Sequence, residues 1–147
     1  MSAPQVVVDS IFRKLGGRAT LGEEVTSEAD LARLVHGRFA MKVLVSVKRF
    51  GFTDREIERF VIPARTQRHR IAKRERLTIE ESDRLVRLTR LQALAEDVFG
   101  DADKANRWLR EKLAILGGKP PLDVAATEAG GRVVEQLLAK IDWGAAA

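Results

Sequence analysis

Two four-residue strings, Thr53-Asp54-Arg55-Glu56 and Thr78-Ile79-Glu80-Glu81, constrain this chain more than any other feature. In each, the threonine hydroxyl can accept the backbone N–H three residues on, while the glutamate reaches back to the threonine N–H. Two of the donors that a helix start leaves unpaired are satisfied at once. Each string therefore marks a helix N-terminus, and apolar residues at helical spacing follow both. Ile57, Phe60 and Val61 follow the first. Leu85, Leu88, Leu91, Leu94, Ala95, Val98 and Phe99 follow the second and predict the longest helix, over 79–99, with a wide apolar face. Ser27-Glu28-Ala29-Asp30 is a similar start ahead of Leu31, Leu34 and Val35, and Gly37 stops that helix. Met41, Leu44, Val45 and Val47 lie on a further helix that Gly51 ends. No stretch alternates with period two over a useful length, so the expected fold is all-α, without internal repeats.

The last forty residues carry a denser set of signals. Asp101 caps a helix bearing Trp108 and Leu109, with Trp108 read as core. Gly117-Gly118 supplies the left-handed positions that end the turn after it, and Pro120 or Pro121 opens the next. Gly130-Gly131 is expected to break the chain again, leaving Val133, Val134, Leu137, Leu138 and Ile141 on a final helix over 132–141. At the other end, Gly16-Gly17 and Gly22 argue against a stable element, and Val6-Val7-Val8 reads as a short strand or a disordered arm. Residues 1–26 are therefore expected to form a flexible N-terminal extension.

Composition narrows the chemistry. The 45% hydrophobic content is enough for a packed interior of one domain or two small lobes. There is no cysteine, which excludes disulfides and thiolate chemistry and fits a cytoplasmic protein. No apolar run approaches the length that spans a bilayer, and residues 1–10 lack the charged start and apolar block of a signal peptide. His36 and His69 have no cysteine or carboxylate cluster to complete a metal site. There is no tyrosine, no glycine-rich phosphate loop after a strand and no carboxylate pair set apart from capping and surface acids. No catalytic residue and no cofactor are expected.

Charge is placed unevenly. Residues 64–76 hold Arg65, Arg68, Arg70, Lys73, Arg74 and Arg76 against Glu75 alone. Six cations against one anion make a local +5, equal to the formal charge of the whole chain. A basic block on a neutral body is the pattern of a polyanion contact. The block also follows a helix and a short turn, so residues 53–75 read as a helix-turn-helix whose second helix enters the DNA major groove. Arg65, Thr66, Gln67 and Arg68 lie at its leading end, where arginine can pair with guanine and glutamine with adenine. Arg70, Lys73, Arg74 and Arg76 are candidate phosphate contacts, and Arg84, Arg87 and Arg90 form a possible extension. Ile71 and Ala72 are expected to face inward. Gln67 occupies a slot where a small apolar residue is usual, and Val61-Ile62-Pro63 lacks the usual turn glycine.

The order and spacing of Trp108-Leu109, Leu116-Gly117-Gly118, Pro121-Leu122-Asp123, Thr127-Glu128-Ala129-Gly130 and Ile141-Asp142-Trp143-Gly144 resemble the C-terminal toxin-binding domain of Xre/MbcA/ParS antitoxins. These are halves of type II toxin–antitoxin pairs whose toxins carry a RES domain. Upstream, Val61 to Thr66, His69-Arg70, Leu77-Thr78, Glu81 to Arg84 and Ala95 to Gly100 are also similar, so the likeness covers roughly residues 27 to 144. Gln67, where the family often has leucine, and Glu111-Lys112, where it often has proline, depart from it.

The resemblance implies an antitoxin that binds an NAD-consuming RES toxin, blocks its NAD pocket with its own C-terminal part, and regulates its operon through operator DNA. It implies a helix-turn-helix lobe over 27–78, a linking and dimerisation helix over 79–100, and a toxin-binding domain over 101–147. The toxin-facing candidates are Trp108, Leu116, Gly117, Gly118, Pro121, Leu122, Thr127, Gly130, Ile141, Asp142, Trp143 and Gly144. Trp143 is either an interface anchor beside a free end or a core residue folded back on Leu138. Asp142 could pair with an arginine that would otherwise hold a dinucleotide phosphate. The wide apolar face of the 79–99 helix predicts a homodimer. Two other classes remain: a stand-alone helix-turn-helix repressor, and an interaction protein that has lost DNA binding.

Overall fold

The computed structural model describes residues 3–146. The helices are α1 (Ala3–Lys14), α2 (Gly17–Leu21), α3 (Glu28–His36), α4 (Val43–Arg49), α5 (Asp54–Phe60), α6 (Ala64–Lys73), α7 (Ile79–Phe99), α8 (Ala102–Arg110), α9 (Pro121–Val124) and α10 (Glu128–Ala146), with a 3₁₀ turn over Ala114–Leu116. Among the described residues there is no strand, only an isolated bridge between Leu113 and Lys119. The chain divides within α7 into two compact units, one reaching Thr89 and one starting at Arg90.

The first unit is assembled from the capping signals. Thr53 accepts from the Glu56 N–H at 3.1 Å, and Glu56 accepts from the Thr53 N–H at 2.9 Å. Thr78 and Glu81 repeat the exchange at 3.1 and 2.8 Å. Ser27 accepts from the Asp30 N–H at the start of α3. Between these starts the apolar stripes close on one another: Leu31, Phe39, Val43, Leu44, Val47, Phe52, Ile57, Val61, Ile62, Leu77 and Leu85 are all buried.

The N-terminal residues differ from the flexible extension expected for 1–26. Val7, Val8, Ile11 and Leu15 form one buried helical face, and α1 packs against α2 and α4. Three adjacent valines are poor helix formers, but the stripe they begin continues at helical spacing to Leu15, and burial outweighs propensity. Gly16 does not mark looseness. It holds φ 108° between two helices, where an added Cβ would sit 2.2 Å from the Thr20 hydroxyl oxygen. Lys14 is buried as well, its ammonium 4.9 Å from the Phe50 ring centroid.

The width of the α7 face is accounted for within the chain. Ser82, Leu85, Val86, Leu88, Thr89, Leu91, Gln92, Ala93 and Ala95 are buried, so apolar and polar positions alike are covered. Its polar members have partners: the Thr89 hydroxyl lies 3.0 Å from the carbonyls of Leu85 and Val86, and the Gln92 amide donates to Asn106 Oδ1 at 2.9 Å. The apolar width from which a homodimer was expected is therefore not a vacant surface.

In the second unit, Asp101 caps α8 by accepting from the N–H groups of Lys104 and Asp103. Those backbone bonds hold its carboxyl below the ordinary carboxylate range. Trp108 tilts against Phe99 with centroids 5.5 Å apart. Gly117 and Gly118, at φ 69° and 80°, reverse the chain, and Pro121 opens α9 as its first residue. Gly130-Gly131 does not break the chain as expected: α10 runs through both and on past Ile141 to Ala146. A Cβ on Gly130 would lie 1.7 Å from the Val124 carbonyl oxygen, so glycine is needed for close backbone approach rather than for a break. Gly130→Ala should thus destabilise the protein. The helix-propensity gain of about 1 kcal/mol is outweighed by an overlap with main chain costing about 1–3 kcal/mol or more. Urea unfolding that finds the variant as stable as the parent would contradict this packing.

Candidate functional sites

The basic helix α6 docks through polar side chains. Ile71 and Ala72, expected to face inward, are exposed, Ile71 by 61%. The half-buried positions are Ala64, Gln67 and Arg70, spaced three apart on one face, with Thr66 beside them. Gln67 donates to the carbonyl of Ile62 at 2.9 Å, inside the turn that lacks glycine. It is thus tied to the protein's own backbone rather than presented as a base reader. Arg70 is paired with Glu81 in a short contact, their side chains 14% and 10% exposed, and reaches the Arg76 carbonyl as well. It is a poor candidate for the phosphate contact it was assigned.

Burial alone would push the Glu81 carboxyl up. The hydrogen bonds from Arg70 and the Thr78 N–H, with the arginine charge, outweigh it and hold the carboxyl below the ordinary range. The outward face of α6 keeps Arg65, Arg68, His69 and Lys73 exposed, and Arg74 closes the helix at φ 56°. Of the proposed extension, Arg84 donates to the Val61 carbonyl at 3.2 Å and Arg87 faces Asp83 at 3.6 Å, so both are engaged.

The second unit separates its candidates into scaffold and surface. Pro121 and Leu122 are buried, Trp108, Leu116 and Gly130 are half-buried, and Gly117 and Gly118 form an exposed turn. Thr127 is exposed and accepts from the Gly130 N–H at 3.0 Å, capping α10. Ile141 is half-buried, while Asp142, Trp143 and Gly144 are exposed. These four lie within α10, not beyond it. Trp143, at 78% exposed, is not folded back into the core. Ile115, at 73%, is a second exposed apolar side chain that the sequence reading passed over. Its only sequence signal is its place beside the Gly117-Gly118 turn. Among the described residues no acidic, histidine or cysteine cluster is set to hold a metal, and no helix is long and apolar enough to cross a membrane.

The chain thus carries a helix-turn-helix with a basic outward face, joined in sequence to a small helical unit with exposed apolar side chains. Both parts match known families. Residues 30–90 match the antitoxin Xre-like helix-turn-helix domain, and residues 94–144 match the antitoxin Xre/MbcA/ParS C-terminal toxin-binding domain. The chain is 35% identical over 121 residues to an antitoxin Xre of Pseudomonas putida, covering 82% of this chain and 76% of that one. It is 28% identical over 144 residues to an antitoxin Xre of Yersinia enterocolitica, covering 96% and 93%. A Prs ADP-ribosylating antitoxin of a Sphingobium species is 32% identical over 89 residues, covering 54% and 56%. The chain belongs to the Xre antitoxin family, the antitoxin side of a toxin–antitoxin system.

The Arg70–Glu81 pair separates structure from contact on α6. Arg70→Ala should cost about 2 kcal/mol or more, because it leaves a buried carboxylate unpaired. Arg68→Ala, on the exposed face, should stay within about 0.5 kcal/mol. The pH sign follows from the lowered Glu81 value. Its contribution is complete above the ordinary glutamate value of 4.5 and is lost as pH falls through the lower folded value. Urea unfolding at neutral and acid pH should therefore show the parent's advantage over Glu81→Gln shrinking below that range. An advantage independent of pH would argue against the pair.

Proposed function

We propose that this antitoxin neutralises an NAD-consuming RES-domain toxin, with Ile141, Asp142, Trp143 and Gly144 closest to the toxin's active site. The observation that carries the reading is Trp143, a large aromatic side chain 78% exposed near the end of α10 with Asp142 beside it. Tryptophan dominates interface hot spots, so a tryptophan this exposed is suited to anchor a partner. Asp142 supplies a charge that can meet an arginine of a phosphate pocket. The name of the Sphingobium relative joins an antitoxin to ADP-ribosylation, a reaction that uses NAD. Pro121, Leu122 and Gly130 contribute by holding α9 against α10, and Trp108 by its contact with Phe99. The role is regulatory rather than catalytic, as the relatives' names suggest.

Trp143→Ala should leave the urea midpoint nearly unchanged, since little of the side chain is buried. It should weaken inhibition of NAD turnover by the co-encoded toxin about 30-fold or more, the effect of a hot-spot loss of about 2 kcal/mol. A truncation after Lys140 that stays folded and still blocks turnover would place the interface elsewhere, with exposed Ile115 the next candidate.

The second reading is autoregulation through operator DNA. It is supported by the exposed Arg65, Arg68, Lys73 and Arg74, four cations on or just after α6. Two copies of the chain reading half-sites one DNA turn apart would fit a helix-turn-helix. With four phosphates neutralised, log K should fall against log salt with a slope of about −3.6. Charge reversal at Arg68 and Lys73 together should abolish binding to the DNA upstream of the gene. Undiminished affinity in that variant would exclude this face, and the protein would act on its toxin without binding DNA.

A further inference from the structure

An open cleft of about 520 Å³ lies in the first unit, between α2 and the segment joining α3 to α4. The wall from Ala19 to Glu23, in α2 and just after it, precedes residue 30, where the match to the helix-turn-helix family begins. Three cations line it: Arg38, Lys42 and Arg76, all exposed. Among the described residues none of the three has a carboxylate within ion-pair distance. The one acidic residue in the lining, Glu23, is taken by Arg33 at 2.5 Å. The two arginines are held by main chain instead. Arg38 donates to the carbonyls of Leu77 and Arg76 at 2.8 and 3.3 Å, and Arg76 donates back to the Arg38 carbonyl at 3.0 Å. Arg38 itself sits at φ 64°, a left-handed conformation that a side chain rarely adopts.

Two fixed guanidinium groups without a counter-charge form a preorganised anion site, and their planar forks suit the oxygens of a phosphate. The shape selects which phosphate. A free nucleotide would need an enclosed slot or an aromatic face to hold its base. The lining aromatic, Phe39, is 3% exposed and has no face to offer. What the cleft presents is charge along an open rim. Arg76 also follows Lys73 and Arg74 in the chain, so the exposed cations of α6 continue into it.

We propose that this cleft holds a backbone phosphate of DNA flanking the stretch contacted by α6. The proposal rests on the DNA reading above. The test is the salt dependence of binding by the full chain to a long duplex from upstream of its gene, compared with a Lys42→Ala, Arg76→Ala double variant. Loss of the one phosphate contact should flatten the slope by about 0.9. Lys42→Glu, at an exposed residue whose side chain has no hydrogen-bond partner among the described residues, checks the same site should the double variant melt early, and should weaken binding at low salt. A slope unchanged in the double variant, with Lys42→Glu at parental affinity, overturns the proposal while the α6 reading stands. If the parent chain does not bind the duplex at all, both fail together. Inorganic pyrophosphate provides the last arm. If it raises the parent's melting temperature but not that of Lys42→Glu, while DNA affinity is the same in both, the cleft serves a free phosphate and the DNA assignment is wrong.

Discussion

The Glu81 carboxylate is the contact on which the first unit depends. One oxygen accepts the Thr78 N–H that opens α7 and also faces the Arg70 guanidinium of α6. The same group therefore starts the longest helix and orients the helix that presents the basic face. It is buried, so removing either hydrogen-bond donor would leave a charge in a poor solvent. Around it the chain is laced by further polar contacts. Ser82 accepts from the Phe39 N–H at 3.1 Å, and the Leu77 N–H reaches the Phe39 carbonyl at 2.9 Å. The α3–α4 connection is thereby fixed against the start of α7, which keeps Arg38 and Arg76 beside each other.

Docking α6 through Gln67 and Arg70 rather than through aliphatic side chains has a consequence for its charge. The inner face uses one cation of the basic block for structure and leaves Arg65, Arg68 and Lys73 outside. A helix docked by directional bonds is held in rotation as well as position, whereas an apolar face tolerates sliding. The turn before it gains from the same arrangement. Ile62 is fully buried, and Gln67 supplies its carbonyl with a donor in a turn that has no glycine. The departure from a small apolar residue at 67 is thus a local repair, and the helix-turn-helix geometry survives it.

The second unit is governed by backbone approach rather than charge. Gly130 lets the start of α10 come against the Val124 carbonyl, and Pro121 and Leu122 fill the interior beside it. The residues that carried the family likeness are largely these scaffold positions. The large apolar side chains left exposed are Trp143 near the end of α10, Val133 near its start and Ile115 in the 3₁₀ turn. A motif here specifies the shape of the support more than the surface it offers.

Helix starts, the all-α class and the extent of α7 were legible in the sequence because capping and apolar periodicity are local: Thr53, Thr78 and Asp101 act on amides two or three residues away. The family was legible because scaffold turns need particular residues at particular spacings. The N-terminal helices were not, since glycine and adjacent valines have the same local preferences in a loose arm as in a tight helical turn, and only α4 beneath them decides. Nor was the inner face of α6. Ile71 is the more apolar choice, but the position that turns inward is the one whose arginine meets a carboxylate eleven residues further on. The exposure of Trp143 and the run of α10 through Gly130-Gly131 were likewise settled by packing, because neither the neighbours of a terminal turn nor the distance between two backbones is written in the spacing of residues along one helix.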